Sequence, residues 1–156
     1  MSTISRFEDI EAWQTARGLT RLVYALSNEG TFARDFGLRD QMRRAAVSVM
    51  SNIAEGFESR TSPLLIEFLG RAKGSAGELR AQTYVALDAG YIAQAQFDQL
   101  FDLVDKCSRQ ISRFMTYLGR SNVRTLQRSN VENAKEKGVG MPERSNVPTF
   151  KRANDV

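Results

Sequence analysis

Apolar residues recur at three- and four-residue steps through four stretches of the chain, the spacing of one face of an α-helix. The first stretch, about Phe7 to Asn28, puts Ile10, Trp13, Ala16, Leu19, Val23 and Leu26 on one stripe. Ser5 with Glu8 reads as a capping box, and Asn28-Glu29-Gly30 as a stop. The second runs from Gly37 to Gly56, with Leu38, Met42, Ala45, Ala46, Val49 and Ile53 on its apolar side. The third starts at Thr61 or Ser62 with Pro63 in the first turn and reaches about Ala89, where Gly90 is expected as a left-handed cap. Its core positions are Leu65, Phe68, Leu69, Ala72, Ala76, Leu79 and Leu87. The fourth, about Ala93 to Leu118, carries Phe97, Leu100, Phe101, Val104, Ile111, Phe114, Met115 and Leu118 and is expected to end at Gly119. Links this short demand antiparallel neighbours, so the pattern predicts an all-α fold, an up-and-down antiparallel four-helix bundle with a disordered C-terminal tail. The bundle is expected over residues 1–119 and the tail over 120–156. Phe32 and Phe36, in the link between the first two helices, are expected to plug one bundle end.

The polar side of the second helix is unusual. Asp40, Arg44, Ser48, Ser51 and Glu55 form a second stripe flanked by Gln41 and Asn52, with small hydroxyls where exposed helices ordinarily carry Lys and Glu. That composition suits close packing with hydrogen bonds, and Asp40, Arg44, Ser48, Asn52 and Glu55 are read as a structural or interface polar network. Gly70, Gly74 and Gly77 cost about 1 kcal/mol each in a helix interior relative to alanine. They are read as a close helix–helix contact spanning Ala72 to Gly77, with a hinge as the alternative.

The segment QMRRAAVSVMSNIAEG, Gln41 to Gly56, resembles the signature of the four-helix-bundle proteins encoded in intervening sequences of bacterial 23S rRNA genes. Supporting matches are FEDIEAWQTA from Phe7, FGLRDQ from Phe36, RAKGSAGEL from Arg71 and the GYI of Gly90 to Ile92. Together they cover roughly residues 6 to 118. Met50 stands where the family usually has proline, and another proline is usual near Ala33. The resemblance implies an antiparallel bundle similar to known homopentamers, in a family whose molecular function is unsettled.

Composition narrows the chemistry. The chain of 156 residues has no histidine, which removes Ser-His-Asp and Cys-His catalysis, histidine-ligated zinc and the Glu-x-x-His di-iron motif. The single cysteine, Cys107, excludes an intrachain disulfide and falls at helical spacing with Val104, Ile111 and Phe114, so it reads as a buried small hydrophobe. Trp13 reads as a core anchor, with a ligand platform as the alternative. No apolar run approaches the ~20 residues of a membrane span, and the N-terminus has no apolar signal core. A cytoplasmic protein without membrane association is expected.

The formal charge of +4 is entirely accounted for by residues 120–156, leaving 1–119 balanced. The tail repeats in frames of eight, RSNVRTLQ, RSNVENAK, EKGVGMPE, RSNVPTFK and RANDV, too poor in apolar residues to fold. Translated repetitive DNA is one reading and a basic arm for RNA the other.

Asp40 and Glu55 lie about 22 Å apart along one helix and cannot share a metal within a subunit. The expectation is no enzyme, no cofactor and no metal. Arg39, Arg43, Arg44 and Arg60 are the candidate phosphate contacts, with Arg71 and Lys73 behind them. Two function classes remain open. One is a non-catalytic homo-oligomer associated with ribosomal or other structured RNA, in which repeated weak sites act by avidity. The other is a protein-interaction scaffold, similar at fold level to the bundle that serves as a reverse-transcriptase accessory subunit in retroelements. Converging arginines favour RNA; an outward apolar patch on the first or fourth helix favours a protein partner.

Overall fold

The computed structural model describes residues 4–136, all of them outside any strand. They divide into two units, one ending at Asn122 and one beginning at Val123. The helices are α1 Glu11–Leu26, α2 Phe36–Glu58, α3 Ser62–Asp88 and α4 Gln94–Glu136, with 3-10 turns at Phe7–Asp9 and Phe32–Arg34.

In the first unit the helices run antiparallel, as the short links require. Ser48 meets Ser75, Gln41 meets Gln82 and Gly56 meets Phe68, so residue numbers rise along α2 as they fall along α3. The Thr20 hydroxyl, which donates to Ala16 O at 2.9 Å, also lies 3.2 Å from Ala46 O and so bridges α1 to α2. Arg80 pairs with Asp105 at 3.7 Å between α3 and α4, and the Cys107 thiol lies 3.6 Å from Ala12 O, joining α4 to α1. The four helices thus close a ring around one core. Leu19, Val23, Met42, Val49, Ile53, Leu69, Leu79, Leu100, Val104 and Ile111 are all fully buried there. Burying aliphatic side chains of this size stabilises a fold by about 1.5–3 kcal/mol each, before ordering costs. Burial also pushes the Cys107 thiol up to about 12, the state of a small hydrophobe and not of a nucleophile.

Element boundaries differ from the sequence reading in four places, each for a local reason. α1 begins at Glu11, because Phe7–Asp9 turns as a 3-10 helix and Ile10 is extended. Ser5 donates instead to the Asp9 carboxylate at 3.3 Å and caps nothing. α2 begins at Phe36, since Asp35 accepts from the Leu38 amide at 3.0 Å and supplies the N-cap. It passes through Gly56 to Glu58, and Gly56 is a buried contact with α3 instead of a stop. Only Phe32 plugs the bundle end, stacked on Tyr91 with centroids 5.2 Å apart. Phe36, at the first turn of α2, is 64% exposed.

The fourth difference is at Gly119. α4 continues through it to Glu136. Positive φ angles occur among the described glycines at Gly30 and Gly90, as caps require, and not at Gly119. A glycine with ordinary helical angles weakens a helix by about 1 kcal/mol without ending it. In the second unit the described side chains from Val123 to Glu136 are exposed. The remaining octad frames, residues 137–156, lie outside the described residues, and with them the expectation of a disordered tail there.

Candidate nucleic-acid interface

Three sides of α2 do three different jobs. One seats against α1, one against α3, and one faces outward, because successive residues turn by about 100°.

The α3 side holds the polar network, smaller than the sequence reading made it. The Ser48 and Ser75 hydroxyls lie 2.9 Å apart. Asn52 Nδ2 donates to Ser48 O at 2.8 Å and to Ser48 Oγ at 3.0 Å, and Ser75 Oγ also donates to Arg71 O at 3.2 Å. These partners satisfy half-buried polar atoms where two helices come close. The other three members do not join. Asp40 pairs with Arg39 at 2.9 Å, while Arg44 and Glu55 are exposed and have no ion pair among the described residues. Asp40 and Arg44 lie about 40–80° round the helix from Ser48, and Glu55, on nearly the same side as Ser48, lies about 10 Å further along the axis. Ser75, which completes the network, was missed; its place in the GSA stretch of α3, opposite the hydroxyls of α2, was the available signal.

The expected close contact at Gly70, Gly74 and Gly77 is not made by this chain's own helices. A Cβ at Gly74 or Gly77 would meet nothing within 4 Å, and one at Gly70 would meet only Met115 Cε at 3.9 Å. These positions face outward because the core stripe of α3 runs along Leu69, Ala72, Ala76 and Leu79. The tight contact is at Gly56, where a Cβ would stand 2.7 Å from Phe68 Cβ.

The α1 side carries two positioned cations one helical turn apart. Arg39 donates from Nη1 to Ala33 O at 3.0 Å and from Nε to Asp40, and its guanidinium sits 4.7 Å from the Phe36 ring centroid. Arg43 donates from Nε to the buried Ser27 hydroxyl at 2.8 Å, with its guanidinium 4.7 Å from the Tyr24 centroid. Arg43 has no carboxylate partner among the described residues.

The candidate cations therefore do not converge into one patch. Arg39 and Arg43 stand together. Arg44 faces outward, and Arg60 lies beyond the far end of α2, roughly 25 Å away by helical rise. Arg71 is tied to Glu67 at 2.6 Å and covers Phe68, and Lys73 is exposed on α3. Trp13 packs edge-on against Phe7 at 5.2 Å and against the core. Among the described residues no group of three or more metal-ligating side chains gathers, and no helix is long and apolar enough to cross a membrane.

Fold and site together define a four-helix bundle with an interhelical hydroxyl seam and fixed surface arginines. The chain belongs to the 23S rRNA-intervening sequence protein family, whose model matches residues 8–113. The fold is also that of a protein of unknown function from the S23 ribosomal protein family of Bacteroides thetaiotaomicron VPI-5482, solved by crystallography at 1.70 Å. That structure aligns with a TM-score of 0.62 at 16% identity, covering 67% of this chain and 95% of the other. No curated protein matches the sequence.

Proposed function

We propose that this protein is a non-catalytic, cytoplasmic homo-oligomer that associates with ribosomal or other structured RNA, with pentamer as the state the family resemblance implies. The observation that carries the RNA half is Arg43: a half-buried guanidinium held by a hydroxyl and an aromatic ring, with no carboxylate to neutralise it. A fixed, unneutralised arginine is a preorganised contact for phosphate. Residues 1–119 carry no excess charge of their own, so repetition of the site in an oligomer would supply the affinity. The family's description, which refers to 23S rRNA, supports the same reading.

Self-association draws support from Gly70, Gly74, Gly77 and Ala81, exposed on one face of α3. Three glycines there weaken the helix, and among the described residues nothing lies within 4 Å of a Cβ at Gly74 or Gly77 and only Met115 Cε near one at Gly70. A second copy of the chain would fill that space. Gly74→Leu is expected to lower the mass seen by light scattering while leaving helicity intact. An unchanged mass with normal melting would refute the packing argument.

The RNA reading is tested by binding of a structured rRNA fragment across a salt series. The full chain is compared with Arg43→Gln. Loss of one phosphate contact lowers affinity and reduces the slope of log K against log salt by about 0.7–0.9. Equal binding and equal slope would remove Arg43 from the interface. Absence of binding by either protein would favour the scaffold reading.

A further inference from the structure

The α1–α2 edge offers more than positive charge. Tyr24 and Phe36 are 45% and 64% exposed, and each already carries a guanidinium against its ring. Arg39 and Arg43 are one turn apart on the same side of α2, so the order along the edge is Tyr24, Arg43, Arg39, Phe36. Each arginine is pinned from behind, Arg43 by the Ser27 hydroxyl and Arg39 by Ala33 O and Asp40. The planar groups are therefore held in place before any partner arrives, and the entropy of ordering two long side chains is already spent.

From this arrangement we infer that the edge binds unpaired nucleotides, with bases stacking on the Tyr24 and Phe36 rings and the guanidinium planes, and with phosphate on Arg43. The inference rests on the RNA reading above and names the kind of RNA that the site takes. Bases stack on aromatic rings and on arginine planes only when they are splayed out of a helix, as in loops, bulges and ends. A duplex hides its bases and presents phosphates alone. A site built only for duplex RNA has no use for a phenylalanine left nearly two-thirds exposed at the first turn of a helix. Charge supports the same assignment. Asp40 offsets Arg39, whereas the Nη groups of Arg43 make no hydrogen bond among the described residues and remain available to an anion.

The test measures fluorescence anisotropy of labelled oligouridylate and of an RNA duplex of equal length, with the full chain and with the double variant Tyr24→Leu/Phe36→Leu. Both rings lie at the surface, and circular dichroism confirms that the variant folds. Stacking losses predict that the double variant binds oligouridylate roughly tenfold or more weakly, with duplex binding unchanged. Arg43→Gln should weaken both. Oligouridylate binding that survives the double variant, or equal losses for both RNAs, would overturn the stacking site and leave the RNA reading standing on the duplex result. Failure of the wild-type chain to bind either RNA at low salt would overturn both.

Discussion

Gly56 and Phe68 leave no room between them: a Cβ on the glycine would lie 2.7 Å from the phenylalanine Cβ, closer than such atoms approach in real structures. Leu65 closes the other side at 3.1 Å. The α2–α3 seam is drawn tight here, next to the turn that joins the two helices.

Gly56→Ala is therefore expected to destabilise the protein, although alanine is the better helix former. Overpacking of about 1–3 kcal/mol outweighs a propensity gain of about 1 kcal/mol at most. Gly18→Ala, on α1 with nothing within 4 Å of the new methyl, should instead stabilise by about 0.5–1 kcal/mol. Urea midpoints of the two variants check both signs.

Ser48 and Ser75 share one hydrogen bond, so their removal should not add. Ser48→Ala strips partners from Ser75 and Asn52 and is expected to cost about 0.5–1.5 kcal/mol. In a double-mutant cycle, Ser75→Ala on top of it should cost less than Ser75→Ala alone. Strict additivity would mean that the hydroxyl pair contributes nothing in solution.

Asp35 links the start of α2 to the Tyr91 hydroxyl, which donates to its carboxylate at 3.0 Å. The Leu38 amide first, and then Tyr91, hold its carboxyl below the ordinary 3.8. A depressed carboxyl stabilises the fold above its unfolded value, and that contribution disappears as pH falls through the lower folded value. Asp35→Ala should lower the melting temperature near neutrality by about 2–4 °C. The gap between variant and wild type should close in acid. A gap independent of pH would show that the carboxylate charge is not what matters.

Cys107 sits in the core with its thiol raised by burial from 9.0 to about 12. The unfolded thiol ionises first, so this contribution is complete below pH 9.0 and is lost as pH rises toward about 12. In the native protein Cys107 should resist iodoacetamide at pH 8 and react fully in denaturing urea. Mass spectrometry distinguishes the two states. Rapid labelling under native conditions would show that the α1–α4 contact opens readily.

Arg60 holds a left-handed backbone, φ 59°, in the turn between α2 and α3. Such a conformation disfavours side chains by about 1–2 kcal/mol. Glycine there removes the strain and adds backbone entropy to the unfolded chain, so Arg60→Gly should be neutral to about 1 kcal/mol stabilising. The same variant tests whether Arg60 contacts RNA, because it deletes the charge without unfolding the turn.

Periodicity by itself determined most of the architecture. Ile10, Ala16, Leu19, Val23 and Leu26 of the first stripe are all buried, as are Met42, Ala45, Ala46, Val49 and Ile53 of the second. Burial of one face is the dominant local signal, and four such faces with short links leave few topologies. Pro63 and Gly90 were legible for the same reason, since a fixed or left-handed φ belongs to the residue itself. What depends on which neighbour stands across a seam was not legible. Gly56 reads as a helix stop until Phe68 is placed against it, and the sequence does not say whether the neighbour of Gly74 belongs to this chain until α3 turns the glycine outward. The outer stripe of α2 looked like one network, but the fold joins Ser48 and Asn52 to Ser75 of α3 and leaves Arg44 and Glu55 exposed, outside that hydrogen-bonded seam. A polar side chain is defined by its partner, and partners distant in sequence are brought into reach only by the tertiary fold.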